Sequence, residues 1–131
     1  LVNGAVNGRT INGTTKYRAN LFANYTFSAD KLKGLSIGAG VNLFGRQLIG
    51  NRPGNGFDYI YADAYSVFMA KVGYGFKVRR LPVSLQLTAN NLLDHKDPVF
   101  RNVATVGGVT YRNNSIYLDP LTINLNMNVR F

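Results

Sequence analysis

The sequence predicts an all-β chain: the last five or so antiparallel, up-and-down strands of a large transmembrane β-barrel. Three observations predict it. Apolar and polar residues alternate with a period of two along most of the chain, and the helical period is hard to find. The connections between the alternating segments run short, long, short, long. Aromatic residues of the apolar parity gather at the strand ends beside the short connections.

The first strand is expected near residues 15–28, in "KYRANLFANYTF". Tyr17, Ala19, Leu21, Ala23, Tyr25 and Phe27 share one face; Lys16, Arg18, Asn20, Asn24 and Thr26 share the other, and Phe22 breaks the pattern. "SADKLKG" supplies a short polar turn. The second strand, near 34–46, sets Leu35, Ile37, Ala39, Val41 and Leu43 against Ser36, Gly38, Gly40 and Asn42. Glycines inside a strand mark close approach of another group, so something is expected to pack on that polar face. "GRQLIGNRPGNGFD" then reads as a long surface loop.

The third strand is expected near 60–77. Phe68, Ala70, Val72, Tyr74 and Phe76 oppose Met69, Lys71, Gly73 and Gly75, but Tyr59, Tyr61 and Tyr65 have the opposite parity. A bulge, or a strand projecting beyond the bilayer, would account for that switch. "KVRRLP" is the second short turn. The fourth strand, near 82–93, places Val83, Leu85, Leu87 and Ala89 against Ser84, Gln86, Thr88 and Asn90. A long connection follows, from about Asp94 to Ser115. The fifth strand, near 116–131, ends in "LTINLNMNVRF", alternating without interruption and long enough to cross a bilayer at barrel tilt.

Polar-in, apolar-out strands with short turns at one end and long loops at the other are the pattern of outer-membrane barrels. Tyr25, Phe27, Tyr74, Phe76 and Phe131 would form the aromatic girdle at the short-turn, periplasmic end. Arg18, Asn20, Asn24, Asn42, Arg46, Lys71, Gln86, Asn90, Asn124, Asn126, Asn128 and Arg130 would face the lumen, where amide side chains can hydrogen-bond a docked plug. Five strands cannot close a spanning barrel, and an open edge in lipid leaves unpaired backbone groups. The remaining strands are therefore expected in residues upstream of Leu1 or in a partner chain. "LVNGAVNGRTINGTT" at the start looks like the middle of a loop.

Composition narrows the chemistry. The 131 residues include 14 glycines, 8 tyrosines and 8 phenylalanines, with no cysteine and no tryptophan. A disulfide framework and a thiolate metal site are thereby excluded. The net charge of +9 calls for an anionic partner, but the cations lie scattered at strand ends and turns, which disfavours nucleic acid. One histidine, His95, sits in a loop beside Lys96 and Asp97. With Asp94 and Asp97 it has neither a second imidazole nor a glutamate for a metal site, and no phosphate-binding glycine loop is present. No enzyme activity and no cofactor are expected.

"LQLTANNLLDHKDP", followed by a long loop and a terminal strand ending in phenylalanine, resembles the C-terminal end of TonB-dependent outer-membrane receptors. Asn91, Leu92, Leu93 and Asp94 stand where that family carries an "NLFD" motif, with Leu93 in place of the usual phenylalanine. "AYSVFMAKVGYGF" and "NYTFSADKLKGLSIGAGVNLFG" resemble the preceding strand and hairpin. The resemblance implies a 22-stranded barrel, an N-terminal plug domain and a segment that contacts TonB; neither plug nor contact segment lies within residues 1–131. It implies import of a scarce nutrient across the outer membrane of a Gram-negative bacterium, the ligand being a siderophore-like metal chelate, a glycan or a peptide. The expected partners are outer-membrane lipid, the rest of the barrel and its plug, the TonB complex through the missing N-terminal part, and other outer-membrane subunits. It also implies that Leu125, Met127, Val129 and Phe131 carry the signal read by the barrel-assembly machinery, through strand pairing with alternate side chains in apolar pockets. Two other functions fit the residues: a barrel scaffold or docking component of an outer-membrane complex, and a soluble lipocalin-like module with an apolar interior.

Overall fold

The computed structural model describes residues 10–54 and 58–130. They form nine strands and no helix: β1 (Arg18–Thr26), β2 (Leu35–Phe44), β3 (Gln47–Asn51), β4 (Tyr59–Ala62), β5 (Tyr65–Val78), β6 (Leu81–Asn90), β7 (Val99–Val106), β8 (Val109–Ile116) and β9 (Thr122–Val129). The protein is all-β, with antiparallel pairing in its sheets. The described strands do not close into a barrel.

The described residues divide into two compact units. One holds residues 19–43, 66–96 and 119–130, and it carries nearly all of a five-stranded sheet in the order β1-β2-β5-β6-β9. Its register sorts side chains by parity. Val83, Leu85, Leu87 and Ala89 of β6 face Val129, Met127, Leu125 and Ile123 of β9, and Phe76, Tyr74, Val72 and Ala70 of β5 on the other side. The polar set aligns in the same way, with Ser84, Gln86, Thr88 and Asn90 opposite Asn128, Asn126, Asn124 and Thr122. Residues directly opposite in an antiparallel pair share a face, so one apolar and one polar surface run across these strands.

Close contacts extend the polar face to β2 and β1. The Ser36 hydroxyl donates to the Gly73 carbonyl at 3.4 Å. A Cβ at Gly38 would lie 3.0 Å from the Lys71 and Phe22 side chains, and one at Gly40 would lie 2.8 Å from the Phe22 ring. Phe22 therefore lies over the bare backbone of both glycines, with the Lys71 ammonium 5.0 Å from its ring centre. The residue that breaks the alternation of β1 is the one that covers the glycines of β2.

The second unit holds residues 10–18, 44–54, 58–65 and 97–118. Strands β3 and β4 form one hairpin and β7 and β8 another, and β7 packs against both β3 and β4. Leu48 and Ile49, essentially without solvent contact, join Ala62 and Val99 as a small core. Gly107 and Gly108 link β7 to β8 with φ of 58° and 81°, the left-handed pair that a two-residue hairpin turn requires.

Several expected boundaries are corrected. The long connections hold strands of their own, β3, β7 and β8, in addition to the five of the larger sheet. The segment expected as one strand over 60–77 is two, β4 and β5, separated by Asp63 and Ala64, so that Tyr59 and Tyr61 belong to β4 while Tyr65 opens β5. The first strand begins at Arg18 and the fourth ends at Asn90. Ile116 closes β8, and the last strand begins only at Thr122.

Candidate functional site

The apolar face of the five-stranded sheet is open to solvent. Leu87 is 45% exposed, Ile123 62% and Leu125 69%, and Leu21, Tyr25, Ile37, Val72, Tyr74 and Met127 are also exposed. Among the described residues of this unit only Val83 joins a buried apolar set, so its sheet has no core of its own. An uncovered apolar surface of this extent marks contact with lipid or with another protein.

Four of the ring residues expected in the girdle, Tyr25, Phe27, Tyr74 and Phe76, lie at the short-turn end. Tyr25 and Phe27 meet edge to face at 4.9 Å, and Tyr74 and Phe76 stack at 5.7 Å. Of the residues expected in the assembly signal, Leu125 and Met127 are exposed and Val129 is half-buried. Phe131, named in both sets, lies outside the described residues.

On the polar face, Asn20 and Asn24 of β1, Gln86 and Asn90 of β6, and Asn124, Asn126 and Asn128 of β9 are exposed, while Asn42 and Lys71 are half-buried. Gln86 donates to the Thr88 hydroxyl at 3.3 Å. Amides in this density can bond a polar partner at little desolvation cost, because none has to give up a charge. Arg18 places its guanidinium 5.2 Å from the Phe44 ring centre. Arg46 lies in the link between β2 and β3, outside any strand, and Arg130 lies just beyond β9.

The motif Asn91–Asp94 is a clasp. Asn91 has φ of 50°, a left-handed conformation that asparagine tolerates, and is only 3% exposed. Its side chain donates to the Asp119 carbonyl at 2.8 Å and the His95 carbonyl at 3.2 Å, and accepts the His95 N–H at 2.9 Å. The Asp94 carboxylate accepts the Leu121 N–H at 3.1 Å and meets the Lys96 ammonium at 2.6 Å. These bonds tie the top of β6 to the segment that enters β9. The Lys96 hydrogen bond first, and the Leu121 amide second, hold the Asp94 carboxyl below its ordinary value. His95 is half-buried, and its backbone is what the clasp uses. Among the described residues no cluster of three metal-ligating side chains occurs.

The unit built from the two hairpins holds a polar cavity of about 310 Å³ lined by Arg46, Arg52, Asp58, Tyr59, Ile60, Tyr61, Asp63 and Arg112. Arg52 pairs with Asp58 at 3.2 Å, and Arg112 grips Asp63 with both guanidinium nitrogens. The Lys16 ammonium sits 4.9 Å from the Tyr61 ring centre. Guanidinium and phenol donors beside two carboxylate acceptors suit a polar ligand with groups of both kinds. Of this set the sequence marked only Arg46 as a site residue. Asp63 and Arg112 are 49 positions apart, and no local pattern announces their pairing.

Comparison of the chain with protein-family models, with curated proteins and with solved structures finds no match.

Proposed function

We propose that this chain forms part of the wall of an outer-membrane β-barrel of the TonB-dependent receptor type, which imports a scarce nutrient such as a metal chelate, glycan or peptide. One observation carries the reading: a sheet with an exposed apolar face, an amide-rich polar face and no core between them. A soluble lipocalin-like module would turn Leu87, Ile123, Leu125 and Met127 inward, and their exposure favours the membrane reading over it. In this account the apolar face meets hydrocarbon, the amide ladder of β6 and β9 meets a plug, and the clasp at Asn91 and Asp94 fixes the last long loop. The arginine–tyrosine cavity belongs to the loops and contacts the polar ligand. Energy comes through TonB and no bond of the ligand is broken, so the protein acts as a transporter and not as an enzyme.

The test is expression of the full polypeptide in a Gram-negative host. The account predicts recovery in the outer-membrane fraction, heat-modifiable electrophoretic mobility, and ligand uptake lost when TonB is removed. Correct insertion without TonB-dependent uptake would support the scaffold function instead, and recovery in the soluble fraction would overturn the membrane reading altogether.

A further inference from the structure

We propose that the end of the five-stranded sheet bearing the two short turns is a docking surface for anionic phospholipid headgroups. The proposal rests on the membrane-spanning reading and adds the chemistry of the leaflet met at that end.

The first observation is charge. The Gly75 N–H donates to the Gly34 carbonyl at 2.8 Å, which sets the β1–β2 turn beside the end of β5. Register pairs Lys77 with Pro82 and Val78 with Leu81, closing the β5–β6 turn at Arg79 and Arg80. The Arg130 N–H donates to the Pro82 carbonyl at 3.1 Å, bringing the segment after β9 to the same place. Lys31, Lys33, Lys77, Arg79, Arg80 and Arg130 lie on these segments against a single acidic side chain, Asp30. Elsewhere in this unit Lys71 and Lys96 are balanced by Asp94 and Asp119. Its whole net charge is thus collected at one end. None of the six cations forms an ion pair with another described residue.

The second observation is the rings. The pairs Tyr25–Phe27 and Tyr74–Phe76 stand on the apolar face within a few residues of the same turns, and both tyrosines are exposed. A phenol on an apolar body suits the glycerol level of a bilayer. An acidic polypeptide would engage the cations but leave the outward-facing rings without a role. An anionic lipid engages both, with phosphate at the cations and chain at the rings, and its net negative charge is favoured over a zwitterion by the uncompensated cations.

The test uses the full polypeptide reconstituted in phosphatidylcholine bilayers with trace spin-labelled phosphatidylglycerol or phosphatidylcholine. The motionally restricted component of the spectrum gives the relative association of each lipid with the protein. Each cation near an anionic surface is worth roughly fivefold in binding, so a preference of about fivefold for phosphatidylglycerol is expected. It should vanish at 1 M salt, where the screening length falls to about 3 Å. It should also fall sharply in a variant carrying Lys31→Gln, Lys33→Gln, Arg79→Asn and Arg80→Gln, which leaves only Lys77 and Arg130 against Asp30; asparagine suits the left-handed φ of 57° at Arg79. Heat-modifiable mobility of the variant shows that its barrel still forms. Equal association of the two lipids, or a preference the variant keeps, overturns the proposal while leaving the membrane reading intact. Absence of any restricted lipid component overturns both.

Discussion

Replacing Asn91 by alanine should loosen the entry to the last strand. The side chain is 3% exposed and makes three hydrogen bonds, two of them to carbonyls, of Asp119 and His95. At about 1 kcal/mol net per bond the loss comes to roughly 3 kcal/mol, and water entering the opened site returns part of it. Alanine also takes the left-handed φ of 50° less readily than asparagine, which adds on the order of 0.5–1 kcal/mol. A net cost of about 2–3 kcal/mol remains, and because the bonds join β6 to the segment entering β9, it falls on that region. The assay is amide hydrogen exchange of the full polypeptide in lipid, followed at Asp119, Leu121 and Thr122. Exchange there should quicken by roughly 30–150-fold, while the Ala70–Ala89 region of the β5–β6 pair changes little. Asn91→Asp, which keeps the acceptor but sets a carboxylate oxygen against two carbonyls, should do no better than alanine. Unchanged exchange at Asp119, Leu121 and Thr122 in both variants would refute the clasp.

Further outcomes follow from other sites. Leu125→Arg, on the exposed apolar face, should destabilise the inserted barrel by about 2–4 kcal/mol in urea unfolding from vesicles, whereas Asn126→Arg on the polar face should cost under about 1 kcal/mol; equal costs would contradict the assignment of faces. Gly108→Val places a β-branched residue at φ 81° and should fray the β7–β8 hairpin by about 1–2 kcal/mol, read as faster exchange at Val106 and Val109. Because the folded-state pKa of Asp94 is lowered, its stabilising contribution is complete above the ordinary value of 3.8 and lost as pH falls through the folded value. Exchange at Leu121 should therefore rise at acid pH in the parent and be pH-flat, apart from chemical exchange, in Asp94→Asn. Deleting Phe131 from the full polypeptide should lower the yield of assembled barrel in the outer membrane, and an unchanged yield would remove the assembly role.

What the sequence disclosed follows from what a strand writes into it. In β6 and β9 apolar and polar residues alternate without a break, and register follows from matching the two alternations. β1 and β2 read less cleanly because Phe22 and the glycines Gly38 and Gly40 compensate one another across strands, a relation that a single-strand pattern cannot contain. In the sequence reading β3, β7 and β8 fall in loops, and β4 falls in the third expected strand. Their apolar positions pack on each other over a small core, and the Gly/Asn/Pro density of "GNRPGNG" masked the short strand before it. One signal for β7–β8 was present: the two-glycine turn in "VATVGGVTY", flanked by alternating residues, is a strong local mark of a hairpin. For the candidate site, the motif at Asn91–Asp94 was visible as a motif, but its partners Asp119 and Leu121 lie 28 and 27 positions onward and emerge only with the fold. The arginine–tyrosine cavity was invisible for the same reason.

The most direct measurement is a nitroxide scan of residues 121–129 in the full polypeptide in lipid, which is simplified by the absence of cysteine from this chain. Oxygen, concentrated in the hydrocarbon, should reach labels at 123, 125 and 127, and a water-soluble nickel reagent should reach those at 124, 126 and 128. Strict two-residue alternation of the two accessibilities is the predicted result. Labels at 123, 125 and 127 shielded from both reagents would place those side chains in a dry protein interior, and the account of this sheet as a barrel wall would fail.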